Sequence, residues 1–81
     1  MTKRADESLC WILTTRDERH YWHGPGLRPL DGDTMLTLCR AVIRRKHPPP
    51  YWASKREASA AARALARVVK VTLQPLAVRL C

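Results

Sequence analysis

Phenylalanine is absent from this chain of 81 residues, and cysteine and glycine occur only three times each. Three cysteines scattered along the chain, without a close pair, do not match the disulfide framework of a small secreted protein. No apolar run approaches the roughly 18 residues of a membrane-spanning helix, and residues 9–13 are too few for a signal peptide. We therefore expect a cytoplasmic protein whose thiols are reduced.

Acidic residues are almost missing from the second half of the chain. Residues 1–39 carry five basic and six acidic groups, whereas residues 40–81 carry ten basic groups and the single acid Glu57. The formal net charge of +8 and the sequence pI of about 10.3 therefore arise beyond residue 39. Such an asymmetry indicates an acidic or polyanionic partner for that half of the chain.

The length of the chain allows one small hydrophobic core. We expect a flexible N-terminus over residues 1–8 and a single domain over residues 9–81. Without phenylalanine, three tryptophans and two tyrosines must supply the large rings of this core. A core of this size favours either a monomer or a homodimer.

A β-hairpin is predicted near the N-terminus. The segment Leu9–Thr15 is rich in β-branched and aromatic residues, a charged turn follows, and residues 20–23 form the returning strand. A short turn would place Trp22 on the same face as Leu13. A slip of one residue would place Tyr21 there instead, so the register stays open.

The middle of the chain is predicted as a loop over residues 27–32 and a helix over residues 35–46, capped by Asp33 or Thr34. The apolar face of this helix would consist of Met35, Leu36, Cys39, Val42 and Ile43. The β-branched residues late in the segment leave a strand as the alternative. Three prolines at residues 48–50 end either element.

A second helix is predicted over residues 54–67, because Ser54 and Glu57 form a capping box before an alanine-rich run. Its narrow face, suited to close packing on a sheet, consists of Ala58, Ala61, Ala62 and Leu65. Residues 68–73 then change to period two and predict a strand. Pro75 interrupts the alternation, which indicates an edge strand at the end of the chain.

These elements together predict an α+β fold. A small antiparallel sheet would combine the N-terminal hairpin with the C-terminal strand. One face of that sheet would be packed by one or two helices.

The sequence contains no motif for metal binding or catalysis. His20 and His23 lie three residues apart on a strand and would point to opposite faces, and no Cys-x-x-Cys pair exists. The acids occupy turns or cap a helix, and no glycine-rich phosphate loop is present. We therefore expect no metal, no cofactor and no enzymatic activity.

The excess positive charge marks the candidate partner-binding surface. Arginine outnumbers lysine eleven to four, and its planar fork suits phosphates or carboxylates. Residues 48–52 would add aromatic anchors for a protein partner, whereas residues 44–46 would also complement the dipole of a helix without any ligand. The predicted partner-binding residues are Arg40, Arg44, Arg45, Lys46, Tyr51, Trp52, Arg56, Arg63, Arg67 and Lys70.

Three stretches covering about half of the chain carry a family resemblance: WILTTRDERHYWHG, YWASKREASAAARALA and VVKVTL. They resemble small phage and prophage proteins in which a strand precedes an aromatic hairpin, a Ser-x-x-Glu-Ala helix and a valine-rich strand. The matching positions are Tyr21, Trp22, Gly24, Ser54, Glu57, Ala58, Val69, Val71 and Leu73. In size and style the chain is similar to the anti-CRISPR proteins, although many of those are acidic.

The resemblance implies a phage-encoded, non-enzymatic protein that acts in the cytoplasm of a bacterial host. It would inhibit a CRISPR–Cas type nucleoprotein complex by steric occlusion through its arginine-rich surface. The alternative is a basic accessory or regulatory protein that binds nucleic acid, contacting phosphates with the same arginines.

Overall fold

The computed structural model describes residues 9–44 and 50–79 and has an α+β fold, as predicted. Within these residues, the elements are β1 (Leu9–Thr15), β2 (His20–Trp22), β3 (Leu27–Pro29), α1 (Gly32–Arg44), α2 (Lys55–Val69) and β4 (Leu73–Arg79). The strands form one antiparallel sheet of order β3-β2-β1-β4. The expectations for residues 1–8 and for Arg45 and Lys46 lie outside the described residues.

The hairpin has the register that a short turn predicts. Tyr21 is paired with Thr14, so Trp22 lies opposite Leu13 and shares its face of the sheet. Residues 27–32 are not a loop throughout, because Leu27–Pro29 pairs with β2 and adds a further strand. The sequence shows little of this strand, since it is only three residues long and ends in proline.

The prediction of a strand over residues 68–73 is wrong. Helix α2 continues through Val69, Lys70 ends it with a left-handed backbone (φ 58°), and the strand begins only at Leu73. The β-branched residues at the end of the helix favour a strand locally. Val69, however, packs in the same core as Leu65, four residues earlier, so packing extends the helix by another turn.

Strand β4 is an edge strand, as predicted, and it contains Pro75 opposite Leu13 of β1. On the other side of β1, Trp11 and Trp52 exchange two backbone hydrogen bonds of 2.9 Å each. Because backbone groups alternate in direction along a strand, Leu13 also points its N–H and C=O away from β4. Pro75 therefore removes no hydrogen bond between β1 and β4.

The two helices cover opposite faces of the sheet, which corrects the expectation that both cover one face. One core, between α1 and the sheet, consists of Ile12, Tyr21, Leu38, Cys39 and Val78. The other, between α2 and the sheet, consists of Leu13, Ala58, Ala62 and Leu73. Ile12 and Leu13 are neighbours and both are fully buried, so β1 is apolar on both sides. The domain is a three-layer arrangement with the sheet in the middle.

The segment predicted as a helix, with a strand as the alternative, is the helix α1. Its cap and its buried face differ from the prediction. The Asp31 carboxylate, in place of Asp33 or Thr34, accepts a hydrogen bond from the Thr34 N–H at 2.9 Å. This bond holds the pKa of Asp31 below its usual value. Leu38 is 3% exposed and lies in the core, whereas Leu36 is 44% exposed.

Candidate functional site

The candidate binding surface is built on α2, which is capped by Ser54 as predicted, although the reciprocal bond from Glu57 in the predicted capping box is not formed. The Glu57 N–H donates to Ser54 Oγ at 3.2 Å, and the helix begins at Lys55. Ala58 is fully buried and Ala62 nearly so, with Ala61 and Leu65 packed beside them. The predicted small-residue face is confirmed, and it allows the helix to lie close to the sheet.

Three arginines form a straight row on the outer side of α2, named here the arginine row: Arg56, Arg63 and Arg67. All three are exposed. At about 100° per residue, they lie within about 40° of one another and on the side opposite Ala58. A rise of about 1.5 Å per residue separates the first and last by about 16 Å along the axis.

The arginine row has no ion-pair partner among the described residues. Within residues 9–44 and 50–79, no carboxylate lies within ion-pair distance of these three guanidinium groups. Exposed Lys55 and Lys70 extend the positive charge at the two ends of the helix. Glu57 is the only acid in the chain after Asp33, and it is exposed near the start of α2.

Arg40, another predicted cation, does not join the arginine row. Arg40 is exposed on α1, the helix that covers the opposite face of the sheet. Arg44 is the last residue of the same helix. The sheet thus separates Arg40 from the arginine row on α2.

The two helices run in opposite directions along the sheet. Leu30 donates its N–H to the Arg19 carbonyl at 2.7 Å, so α1 starts beside the turn that joins β1 and β2. The end of α2 leads into β4, whose first residue, Leu73, pairs with Thr15 next to the same turn. Arg67 and Lys70 therefore lie toward this turn, and Arg56 lies toward the far end of the sheet.

Tyr51 and Trp52 are half-buried and attach the segment before α2 to the domain. The Tyr51 hydroxyl donates to the Leu38 carbonyl at 2.8 Å, and Trp52 is bonded through its backbone to Trp11. Burial raises the pKa of the Tyr51 phenol. Tyr51 packs against the α1 core and Trp52 against the α2 core. Both rings have a packing role, and their contact with a partner stays a prediction.

An open pocket beside the C-terminal end of α2 was not foreseen from the sequence. It has a volume of about 430 Å³ and is lined by Thr15, Arg16, Asp17, His20, Val71 and Thr72. It forms because Thr15 and Leu73 pair across the sheet, which brings the β1–β2 turn beside the segment that follows α2. No local pattern in the sequence indicates this contact between distant residues.

A second pocket, of about 440 Å³, lies near the start of α1. Its lining residues are Tyr21, Arg28, Pro29, Asp31, Asp33, Thr34 and Thr37. It combines one guanidinium with two carboxylates, one of which already caps α1. Its charges are therefore mixed, in contrast to the uniform charge of the arginine row.

His20 and His23 lie on opposite faces of the sheet, as their spacing predicts. His20 is exposed, and the ring of His23 meets that of Tyr21 edge-on, with 5.9 Å between ring centroids. In the part of the chain that the structure describes, no three histidine, cysteine, aspartate or glutamate side chains are placed to hold a metal ion. None of the described helices has the length and apolarity that crossing a membrane requires.

In comparisons with known proteins, no family model, curated protein or solved structure matched this chain. A function for the protein therefore has to follow from its own residues, of which the arginine row is the most distinctive group.

Proposed function

We propose that this protein is a non-enzymatic binding protein that docks on an anionic surface through the arginine row and blocks that surface sterically. The observation that carries the proposal is the row itself, with three exposed guanidinium groups in line on one helix. Each guanidinium binds a carboxylate or phosphate through two parallel hydrogen bonds. Three in a line therefore match a partner with repeated anionic groups.

The partner that we propose is a nucleoprotein complex of bacterial defence, of the CRISPR–Cas type, in the cytoplasm of a bacterial host. The resemblance to small phage proteins points to this setting, and such a complex offers both carboxylates and phosphates. A standard interface uses about 800 Å² on each partner. This is about one seventh of the 5772 Å² surface of the chain, so a domain of this size can cover a site without catalysing a reaction.

A charge-reversal experiment tests the role of the arginine row. The test variant is Arg63→Glu with Arg67→Glu, and the matched control is Arg28→Glu with Arg40→Glu, which makes the same change in net charge with residues outside the row. Tagged proteins are used to capture complexes from the lysate of a CRISPR-bearing host, and captured proteins are identified by mass spectrometry.

We expect the wild type and the control to recover Cas subunits and the test variant to lose them. Equal loss in both variants would show that only the overall charge matters. If the wild type recovers no Cas subunit, the proposed partner is wrong.

Binding of free nucleic acid is the second candidate function, favoured by the absence of a described carboxylate within ion-pair distance of the arginine row. Trp11, Trp22 and Trp52 pack against the α2 core, so this binding would depend on phosphates and be independent of sequence. The affinity would then fall linearly in log salt, by a slope of about −0.9 per phosphate contact for a duplex.

The test is fluorescence anisotropy with a mixed-sequence duplex over a range of salt concentrations. Arg63→Glu with Arg67→Glu should reduce the steepness of the salt dependence by about two phosphate contacts. If the wild type binds neither a duplex nor a single strand at low salt, this second candidate is excluded.

A further inference from the structure

The C-terminal end of α2 combines exposed apolar side chains with positive charge. Val68 is 68% exposed and Val71 is 38% exposed. Val71 lines the pocket of about 430 Å³, whereas Val68 is not among its lining residues. Lys70, which ends the helix in a left-handed conformation, directly precedes Val71, and Arg67 lies one helical turn before Lys70. An apolar side chain that lines the pocket thus closely follows two cations at the end of the helix.

The one carboxylate in the pocket is already engaged by its own turn. Asp17 accepts hydrogen bonds from the Thr15 hydroxyl at 2.6 Å and from the Arg19 N–H at 3.0 Å. These two bonds hold the pKa of Asp17 below its usual value. Arg16 is exposed, and no described carboxylate lies within ion-pair distance of its guanidinium group. Asp17 therefore stays ionised, the lining carries one guanidinium and one carboxylate, and the excess of positive charge comes from Arg67 and Lys70 at the end of α2.

We propose that this pocket docks an acidic polypeptide segment, which inserts one aliphatic side chain against Val71. Carboxylates that flank the inserted side chain would meet Arg16, Arg67 and Lys70. The inference rests on the proposed function and specifies its anionic surface as an acidic protein surface. A volume of about 430 Å³ accommodates a side chain with part of its backbone.

The exposed valine distinguishes a protein partner from a nucleic acid. An aliphatic side chain that leaves water to contact Val71 contributes through the hydrophobic effect, in proportion to the area buried. A sugar–phosphate backbone brings charged and polar oxygens and gains little from a valine. Apolar contact ringed by charge is the arrangement found in protein–protein interfaces, where the apolar centre is surrounded by a polar rim.

Two synthetic peptides provide the probes for a direct test. The first is a fluorescein-labelled nonapeptide of alternating aspartate and glutamate with a central leucine, and the second has serine in place of that leucine. A mixed-sequence single strand of DNA is the third probe. Binding to the full chain is measured by fluorescence anisotropy at low salt. The variant Val71→Ser probes the pocket, and Val68→Ser makes the same exchange at an exposed position outside it.

The wild type is expected to bind the leucine peptide about tenfold more tightly than the serine peptide. Val71→Ser should remove this difference, and Val68→Ser should keep it. Circular dichroism checks that both variants are folded. We expect them to fold, because both valines are exposed.

Equal affinity for the two peptides, or equal behaviour of the two valine variants, would refute the proposal that an acidic segment docks in this pocket. In that case a loss of both peptides on Arg63→Glu with Arg67→Glu would show that the arginine row still binds carboxylates and that the proposed function stands. Binding of the DNA strand alone would contradict the docking of an acidic segment and identify phosphates as the ligand.

Discussion

Replacing Ala58 with leucine tests whether close packing of α2 on the sheet holds the arginine row in place. Ala58 has no exposed surface, and it packs in a core filled by leucine and tryptophan side chains. Extra carbon atoms in a filled core cost about 1–3 kcal/mol. Because the side chain has no route to solvent, we expect the upper end, about 3 kcal/mol. A domain of this length has a total stability of about 4–12 kcal/mol, so the loss is at least a quarter.

Urea unfolding followed by tryptophan fluorescence measures this loss. With a slope of about 1–3 kcal/mol per M urea, the midpoint should fall by about 1–3 M. Ala60→Leu is the matched control, since Ala60 is exposed on the same helix and its exchange should change stability by less than about 0.5 kcal/mol. If Ala58→Leu is no more destabilising than Ala60→Leu, the close approach of helix and sheet is refuted.

Four further substitutions have expected outcomes. Ser54→Ala removes the cap of α2 and should lower the free energy of unfolding by about 1 kcal/mol in urea titrations; an unchanged value would show that the cap contributes nothing. Glycine adopts the left-handed backbone of residue 70 without strain, so Lys70→Gly should raise the free energy of unfolding by about 1 kcal/mol. A lower thermal midpoint would contradict this expectation. Tyr51→Phe removes the hydrogen bond to Leu38 and should cost about 1 kcal/mol. Burial raises the pKa of Tyr51, so the unfolded chain releases the phenolic proton first as the pH rises. The stabilisation of the fold by the protonated phenol is therefore complete below about pH 10 and is lost above it. The wild type should therefore lose more stability than Tyr51→Phe between about pH 8 and pH 11, and equal losses would refute this. Pro75→Val adds an outward N–H to the edge strand and should promote dimers in sedimentation velocity; a persistent monomer would show that the edge is protected in another way.

Elements decided by local chemistry could be predicted from the sequence. The strand Leu9–Thr15 follows from its β-branched and aromatic residues, and the start of α2 follows from the pair Ser54 and Glu57. In both cases the decisive residues are within a few positions of one another. The arginine row follows for the same reason, since helical spacing alone determines which side chains share a side.

Features decided by distant contacts could not be predicted in the same way. The alternation through Leu13 suggests one buried face, yet Ile12 beside it is also fully buried. The uninterrupted apolar run over residues 9–13 was the available indication that β1 is covered on both sides. Which face α1 covers decides whether Arg40 joins the arginine row, and no pattern within the helix determines that face.

The end of α2 shows the same competition between local preference and packing. Val69 has a β-branched side chain that favours a strand, but its place in the core keeps it helical. The pocket lined by Val71 depends in turn on the pairing of Thr15 with Leu73, which are far apart in the chain. Its existence is a property of the assembled sheet.

Pairing of β1 with β4 also determines when the domain can finish folding. Leu9 at one end of β1 is opposite Arg79, and all seven residues of the strand are matched with the last strand of the described fold. Contacts between such distant segments form slowly and only after a large loop has closed. During synthesis, β1 therefore cannot pair with β4 until β4 has left the ribosome. A chain truncated after α2 would contain the three arginines but lack β4, the strand that leads from the helix back to β1.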